Sequence, residues 1–494
     1  MRDALRAGPW TLDSGLWTFA FAAAALVIAT VGADGALPSC VVDWNDAHQQ
    51  IDGFGGGVVF LNPASLDPVA ATNMDTLFLT NTASQLGLTL LRLRVDSSTN
   101  WSNGLLDGQN AVARGARILA TPWSPPPGMK STNRVVGGSL LTSQYANYAS
   151  YLNGFAAFMK TNGAPLAAIS LQNEPDANVN YESCSWTPSQ LLAFCRTNAA
   201  AITNAPVVMP ESQSFNTAYS DPTLNDPVAA ANVHLIAGHL YGVSTIQDYP
   251  NAHAKGKPTW MTEYLVNDQT LGTAIATAQQ IHDCLTVGNM SAYIWWKCLG
   301  DANGLVNVAG APQKRGFVLA QFSRFVRPGF HRLGVTSAAA DAVSAYQGPN
   351  GAFVIVAVNS NSTDVAQTFS FTHCTVTNTV TPWITSSNLS LAAQTVVAVT
   401  NSSFAYTVPA MSVVTFVGQI SNGPPVINSI SLAGGKVHLS VSGPTNYDYT
   451  LKTSTQLGNW QALWTTNLPV VPTTLVDTNS PADASRFYRL QLGR

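Results

Sequence analysis

Apolar and polar positions follow two alternating patterns over residues 51–327. Short apolar runs rich in β-branched and aromatic residues predict strands, and between them apolar positions recur at the helical period. The predicted strands lie near 53–60, 89–95, 116–122, 167–172, 207–210, 234–241, 259–263 and 291–296, and the clearest helices cover 143–162, 188–201, 273–287 and 314–326.

Eight strands that alternate with helices over about 280 residues predict a (β/α)8 TIM barrel at residues 53–327. A doubly wound open sheet is the alternative, but no glycine-rich phosphate loop follows the first strand. After residue 327 the helical period ends, and runs such as 352–359 alternate as antiparallel strands do. We predict a fused β-sandwich at 328–419, a linker at 420–425 and a small C-terminal β-rich module at 426–494.

The N-terminus has the features of an export signal, which we place at residues 1–33. Arg2 and Arg6 precede an uncharged run that ends in small residues at Val31-Gly32-Ala33. An uncleaved membrane anchor is the alternative, and Leu37-Pro38-Ser39-Cys40 is only faintly similar to a lipoprotein site. We therefore expect a secreted protein, extracellular or periplasmic, with no membrane contact after cleavage. Its six cysteines permit disulfides, but the sequence does not determine their pairing.

Composition narrows the range of ligands. Only 10% of the residues are charged and the net charge is -3, so the chain lacks the basic field that attracts nucleic acid. Abundant hydroxyl, amide and aromatic side chains suit neutral, hydroxyl-rich ligands. We expect a monomer with no nucleic-acid partner.

Two glutamates stand at predicted strand ends, where barrel enzymes carry their chemistry. Glu174 follows the fourth strand in Gln172-Asn173-Glu174-Pro175, and Glu263 ends the seventh in Trp260-Met261-Thr262-Glu263. Strands four and seven lie on opposite sides of an eight-strand ring, so these carboxyl groups can face each other. A facing pair, one protonated and one ionised, is what hydrolysis of a glycosidic bond requires.

Aromatic and basic residues cluster near the same strand ends. Sugar rings stack on indole and phenol rings, and core packing is the alternative role for such side chains. The candidates for substrate binding are Trp101, Trp123, Tyr241 and Trp296, the last preferred over Trp295 because side chains alternate along a strand.

Arg92 and Arg94 share one face of the second strand. A guanidinium near Glu263 would keep that carboxylate ionised, although a purely structural salt bridge is the alternative. His234, His239 and Glu211 also lie near strand ends, but their spacing matches no metal site, and we interpret them as hydrogen-bonding groups. We expect no metal and no cofactor.

Several sequence blocks together resemble glycoside hydrolase family 30, in order and over about residues 43–418, and they are most similar to its xylanase branch. They are Gln50-Ile51-Asp52-Gly53-Phe54-Gly55-Gly56, Leu91-Arg92-Leu93-Arg94-Val95-Asp96, Thr121-Pro122-Trp123-Ser124-Pro125-Pro126, Gln172-Asn173-Glu174-Pro175-Asp176, His239-Leu240-Tyr241-Gly242, Trp260-Met261-Thr262-Glu263, and Lys314-Arg315-Gly316 through Phe325-Val326-Arg327-Pro328-Gly329.

This resemblance implies a retaining mechanism with Glu174 as acid/base and Glu263 as nucleophile. It also implies that Asn173 binds the sugar 2-hydroxyl and that Tyr241 lies beside the nucleophile. Arg92, rather than Arg94, occupies the family's arginine position, and we include it among the candidate substrate-binding residues. Residues 41–52 would join the sandwich as a strand contributed from the N-terminus.

One stretch departs from the family pattern. Glucuronoxylan-specific members carry an arginine and a tyrosine shortly after the tandem tryptophans, whereas this chain has Lys297-Cys298-Leu299-Gly300-Asp301-Ala302. Lys297 is a candidate substrate contact, but it lacks the arginine fork. We therefore predict an endo-β-1,4-xylanase that cuts a β-linked plant cell-wall polysaccharide without depending on glucuronate branches. The alternatives are a β-1,6-glucanase, a β-1,6-galactanase, a β-xylosidase or a non-catalytic carbohydrate-binding protein.

Overall fold

The computed structural model describes residues 37–59, 70–376, 379–420, 425–443, 447–468, 472–478 and 485–493. The predicted export signal at 1–33 and most of the predicted linker therefore lie outside the described residues. No helix in these ranges is long and apolar enough to cross a membrane. All six cysteines fall within the ranges and none forms a disulfide.

Eight parallel strands close into a barrel, which confirms the predicted (β/α)8 fold and excludes the open sheet. The strand that precedes them, β1 (Ser39–Gln50), belongs to another sheet. Each barrel strand pairs with the next, and the last pairs with the first. The strands are β2 (Gly53–Gly57), β3 (Leu90–Val95), β4 (Arg117–Pro122), β5 (Leu166–Ser170), β6 (Val207–Ser212), β7 (Leu235–His239), β8 (Thr259–Glu263) and β9 (Ala292–Trp295).

Four of the helices that pack around the barrel match the stretches predicted at 143–162, 188–201, 273–287 and 314–326. The helices are α1 (Ala70–Phe78), α2 (Leu105–Ala113), α3 (Tyr145–Thr161), α4 (Pro188–Thr197), α5 (Asp221–Asn225), α6 (Pro227–Ala231), α7 (Pro250–Ala254), α8 (Leu271–Thr286) and α9 (Lys314–Ser323). Helix α4 begins where its sequence predicts, because Thr187 and Gln190 form a reciprocal capping box and Pro188 occupies the first turn.

The barrel interior has an apolar lower layer and a polar upper layer. Buried residues such as Leu90, Leu119, Ala237 and Trp260 form a separate hydrophobic cluster. Two residues further along β3, β4 and β7, the same inward face carries Arg92, Thr121 and His239, because side chains alternate along a strand. The strand sequences therefore change from apolar to polar toward the carboxyl end of the barrel.

The side domain is one ten-stranded sheet that folds over itself. Its order is β15-β14-β18-β12-β11-β10-β1-β13-β17, with β16 paired to β14, and β1 lies antiparallel to β10 and parallel to β13. Phe416 of β18 packs 4.9 Å from Phe369 and 5.1 Å from Phe404, ring centroid to centroid, although their strands are distant in the sheet order. The sheet therefore forms the two layers of a sandwich.

The strands of this sheet that follow the barrel are β10 (His331–Ser337), β11 (Ala342–Gln347), β12 (Ala352–Asn359), β13 (Val365–Thr372), β14 (Thr379–Thr385), β15 (Ala392–Ala393), β16 (Val397–Ala398), β17 (Ser403–Val408) and β18 (Ser412–Gln419). The sandwich is fused to the barrel through α9. Thr415 Oγ1 donates to the Gln321 carbonyl at 2.8 Å, and the Phe325 and Trp383 rings lie 5.2 Å apart.

The C-terminal module consists of two three-stranded antiparallel sheets, in the orders β19-β20-β23 and β22-β21-β24. Its strands are β19 (Val426–Ala433), β20 (Lys436–Ser442), β21 (Tyr447–Ser454), β22 (Gln461–Leu468), β23 (Thr473–Asp477) and β24 (Phe487–Leu492). Buried residues of the module, including Leu439 and Leu451, belong to the same hydrophobic cluster as the sandwich core. The module therefore packs as part of that β-sheet region.

Candidate active site

A cavity of about 490 Å³ opens at the carboxyl ends of the barrel strands. It is lined by Trp123, Glu174, Tyr181, Gln213, Tyr241, Glu263, Leu265 and Trp296. A hollow of about 550 Å³ beside α8 has only one lining carboxylate, Asp283, among its described residues. The facing carboxyl pair is therefore found in the first cavity, which we call the cleft.

Glu174 reaches the cleft from the segment that follows β5. The strand ends at Ser170, and Glu174 takes a left-handed backbone conformation with φ 45°. Its amide donates to the Glu211 carbonyl at 2.9 Å, and the Asn173 amide donates to the Pro122 carbonyl at 2.8 Å. These hydrogen bonds to neighbouring strands hold a conformation that is unfavourable for glutamate.

Glu263 is the last residue of β8 and is held from two sides. Arg92 Nη1 donates to its Oε2 at 2.5 Å, and the Tyr241 hydroxyl donates to its Oε1 at 2.9 Å. The carboxylate is 5% exposed, so the Arg92 charge acts across a region of reduced screening. The Glu263 carboxylate therefore lines the cleft while it is paired with a buried guanidinium.

The two carboxyl groups are close together. One oxygen of Glu174, one oxygen of Glu263 and one ring nitrogen of His239 all lie within 4.8 Å of one another. Retaining glycosidases hold their carboxyl groups about 5–5.5 Å apart, whereas inverting enzymes need about 6.5–9.5 Å to admit a water molecule. The geometry therefore suits direct attack by a carboxylate.

Arg92 is fully buried beneath the cleft and connects several site residues. Its Nη2 lies 3.1 Å from Glu211 Oε1 and donates to Asn173 Oδ1 at 2.7 Å, and its guanidinium lies 4.7 Å from the centre of the Trp123 ring. Burial by itself would raise the pKa of Glu211, but the charges of Arg92 and His239 outweigh it and hold this pKa at about 2. Glu211 is therefore a permanent anion in the network.

His239 lies fully buried between three carboxylates. Its Nδ1 is 3.2 Å from Glu174 Oε1, and its Nε2 is 3.9 Å from both Glu211 and Glu263. Burial by itself lowers the pKa of His239, but Glu263, Glu174 and Glu211 raise it to about 9. The imidazole is therefore positively charged at neutral pH.

The charge on His239 acts in turn on Glu174. Burial raises the pKa of this carboxyl, but the hydrogen bond and charge of His239, the Tyr181 hydroxyl and Arg92 together lower it below its ordinary value. Glu174 is therefore a carboxylate at neutral pH.

Most of the predicted site residues meet at the cleft. Glu174, Glu263, Trp123, Tyr241 and Trp296 line it, and the Trp123 and Trp296 rings lie 5.7 Å apart. Arg92 and Asn173 lie directly beneath these residues. Trp295 instead points away and is fully buried, with its Nε1 donating to the Asn303 carbonyl at 2.6 Å.

Two further predicted substrate contacts, Trp101 and Lys297, neither line the cleft nor contact Glu263 from beneath it as Arg92 does. The chain turns outward after β3, and the Trp101 ring packs against Tyr151 and Phe155 of α3, with centroid distances of 5.7 and 6.0 Å. Gly154 leaves room for this ring, since a Cβ there would lie 3.2 Å from it. Lys297 is partly buried just after Trp296 and does not line the cavity.

Three cleft residues were not predicted from the sequence: Tyr181, Gln213 and Leu265. Tyr181 and Leu265 lie in irregular segments, and Gln213 directly follows β6, so strand-end patterns alone did not distinguish them. The sequence indicates only hydrogen-bonding roles for His239 and Glu211. The structure adds that both are charged and connect Arg92 to Glu174.

Known proteins resemble the chain over most of its length. No family model matches it. It is 40% identical over 398 residues to the glucuronoxylanase XynC of Bacillus subtilis (strain 168), an alignment that covers 77% of this chain and 92% of the relative.

Two solved structures resemble a similar share of this chain. The family 30 subfamily 8 xylanase Xyn30A from Clostridium acetobutylicum is 40% identical with a TM-score of 0.71, covering 77% of this chain and 99% of that chain. A GH30 endoxylanase from Clostridium papyrosolvens C71 is 36% identical with a TM-score of 0.70, covering 77% and 100%.

The closed parallel barrel, the close carboxyl pair and these relatives together define the class of the protein, which is a retaining glycoside hydrolase. The identity and coverage of the relatives then specify the family. The chain belongs to glycoside hydrolase family 30.

Proposed function

We propose that the chain is an endo-β-1,4-xylanase in which Glu263 is the nucleophile and Glu174 is the acid/base. The observation that carries the proposal is the short distance between the two carboxyl groups, combined with the ion pair between Arg92 and Glu263. The relatives named as xylanases and endoxylanases support the substrate.

In the first step, a Glu263 oxygen forms a bond to the anomeric carbon while the bond to the glycosidic oxygen breaks. The proton of Glu174 moves to that leaving oxygen. In the second step, Glu174 takes a proton from water, the water oxygen bonds to the anomeric carbon, and Glu263 is released as a carboxylate. Both steps are compatible with a site that pairs Glu263 with a guanidinium and gives Glu174 titratable partners.

The cleft walls suit a chain of neutral sugars. Trp123 and Trp296 provide apolar ring faces on which pyranose rings stack, and Gln213 and Tyr241 provide hydrogen-bonding groups.

We also propose that cleavage does not depend on a glucuronate branch. After the tandem tryptophans, Cys298 and Leu299 turn inward, and the Asp301 carboxylate accepts a hydrogen bond from the Val308 amide at 3.1 Å. An arginine fork on a carboxylate contributes about 1.5–3 kcal/mol, and neither Lys297 nor Asp301 can supply it.

Product analysis tests both proposals. We expect linear xylo-oligosaccharides and arabinose-substituted xylan to be cut at internal bonds, at rates within about tenfold of those on glucuronate-decorated xylan. Products that all carry a branch at one fixed position would show that another group recognises glucuronate. Release of monosaccharide alone would indicate an exo-acting enzyme.

Export is a separate proposal, based on residues 1–33 and on the polymeric substrate. A polysaccharide cannot enter the cell intact, so an enzyme that cuts it is expected outside the cytoplasm. N-terminal sequencing of protein from the culture medium or periplasm tests this, with a start near residue 34 expected.

A further inference from the structure

The two oxygens of the Glu174 carboxylate have different partners. Oε1 faces His239 Nδ1 at 3.2 Å, and Oε2 accepts a hydrogen bond from the Tyr181 hydroxyl at 2.6 Å. His239 is fully buried, whereas Tyr181 lines the cleft and is 41% exposed. A sugar entering the cleft can therefore approach Oε2, but not the oxygen that faces the interior.

An acid/base must come within hydrogen-bonding distance of the glycosidic oxygen, about 2.6–3.2 Å. The accessible oxygen of Glu174 already has a partner at that distance. A carboxylate oxygen has two lone-pair positions, and the Tyr181 hydroxyl donates to Oε2 from the cleft wall. Glu174 must carry its proton on the cleft side of Oε2 to pass it to the glycosidic oxygen, so the Tyr181 hydroxyl and the glycosidic oxygen compete for that side.

We propose that Tyr181 is a positioning residue for the acid/base, and that its hydroxyl occupies the proton-transferring oxygen of Glu174 until the glycosidic oxygen displaces it. This inference rests on the proposed role of Glu174.

The backbone around Tyr181 is anchored, so displacement involves only the side chain. Arg94 binds the Glu182 carboxylate through two hydrogen bonds of 2.7 and 2.9 Å. Lys130 Nζ donates to the Ser183 carbonyl at 2.6 Å, and Ser183 Oγ donates to the Tyr181 carbonyl at 2.9 Å. A fixed backbone with a half-exposed ring allows the hydroxyl to leave Glu174 by side-chain rotation and to return to the same place.

Displacement of the Tyr181 hydroxyl changes the protonation of Glu174 because of the charges that surround this carboxylate. The titratable and charged groups that face Glu174 are Tyr181 from its own segment, Arg92 from β3, Glu211 from β6, His239 and Tyr241 from β7 and its end, and Glu263 from β8.

With all three carboxylates ionised and Arg92 and His239 protonated, this group carries one net negative charge. When the Tyr181 hydroxyl leaves, the carboxylate loses a donor that stabilised its charge, and bound sugar excludes water from it. Both changes favour uptake of one proton by Glu174 from solvent, which makes the group neutral and supplies the acid for the first step.

The variant Tyr181→Phe tests the proposal because it keeps the ring and removes only the hydroxyl. The pH dependence of kcat/KM reports the free enzyme, and that of kcat reports the substrate complex. With a linear xylo-oligosaccharide, we expect the alkaline limb of kcat/KM to move to higher pH by about half to one unit, because one hydrogen bond to the carboxylate form is lost. The alkaline limb of kcat should stay in place, because substrate has already displaced Tyr181.

Tyr241→Phe is the matched control, since it removes a hydroxyl from the same cleft but from Glu263. It should lower kcat without moving the alkaline limb of kcat/KM. If Tyr181→Phe folds poorly, Tyr181→Leu should give the same shift of the limb.

Two results would overturn the inference. Equal movement of both limbs would mean that Tyr181 stays on Oε2 with substrate bound, and movement of neither would mean that it only packs in the cleft wall. The variant Glu174→Ala separates these results from failure of the proposed function. If that variant keeps the wild-type alkaline limb, Glu174 is not the acid/base at all.

Discussion

Glu263 and Glu174 face each other across one cleft, but different kinds of groups hold them. Glu263 is bound by Arg92, which is charged at every pH that the fold survives, and by the neutral Tyr241. Glu174 is bound by His239, which can titrate, and by the half-exposed Tyr181. The carboxylate that we assign as nucleophile must be ionised before every attack, whereas the acid/base alternates between two forms, and the partners of each carboxylate match its task.

The largest effect on turnover is expected from Glu263→Gln, which tests the carboxylate that we assign as the nucleophile. The amide keeps the shape but cannot form the glycosyl intermediate, so we expect kcat to fall by roughly 10⁴-fold or more while xylo-oligosaccharide binding remains. Turnover and calorimetric binding on the same preparation measure both. Azide should not restore retaining turnover, and activity near wild type would exclude Glu263 as the nucleophile.

Glu174→Ala tests the acid/base, and its expected effect on turnover depends on the substrate. Xylan cleavage should fall by roughly 10²–10⁴-fold because its leaving group needs a proton. The first step on an aryl xyloside with a good leaving group should survive, since that group departs without one. Burst kinetics would then show a glycosyl intermediate that azide releases, and equal losses on both substrates would contradict the assignment.

Much of this comparison could be predicted from the sequence. Period-two and period-3.6 patterns located the barrel strands, and the carboxyl ends of the fourth and seventh strands located Glu174 and Glu263. Alternation along β9 indicated that Trp296 rather than Trp295 faces the cleft, and the structure places Trp296 in the cleft wall. These features depend on local periodicity and on strand order, both of which are readable in one sequence.

The partners of Glu174 could not be predicted in the same way. Tyr181 reaches the carboxylate only because Arg94 and Lys130 anchor its segment, and these contacts join residues far apart in the chain. Trp101 was predicted to contact substrate but packs against α3. Its proximity to a strand end does not determine whether the ring turns toward the cleft or toward that helix. The positions of Tyr181 and Trp101 both depend on tertiary packing of irregular segments.

Glu211 contacts both Arg92, the partner of Glu263, and His239, the partner of Glu174. The variant Glu211→Gln tests its contribution to the free energy of unfolding. The folded pKa of Glu211 is about 2 against an ordinary 4.5, so its contribution to the free energy of unfolding is present above pH 4.5 and is lost as pH falls toward 2. His239 has the opposite sign, because its folded pKa is about 9 against 6.5, and its contribution is lost as pH rises from 6.5 through 9.

We therefore expect the stability deficit of Glu211→Gln, relative to wild type, to be about 2 kcal/mol smaller at pH 3 than at pH 6. Urea unfolding at the two pH values measures this difference. A deficit that does not change with pH would mean that Glu211 acts through packing rather than through its charge.

The smallest effect on catalysis is expected farthest from both carboxylates, on deletion of residues 426–494. Every described residue that lines the cleft belongs to the barrel or its loops, so kcat/KM on a soluble xylo-oligosaccharide should stay within about twofold of the full chain. Stability should respond differently, because the module shares a hydrophobic cluster with the sandwich and its removal exposes apolar surface there. We expect a lower thermal midpoint at nearly unchanged kcat/KM. A large loss of kcat/KM in a folded truncated protein would show that the β-sheet region positions the barrel loops. The difference between Glu263 and Glu174 could then no longer be attributed to their immediate partners alone.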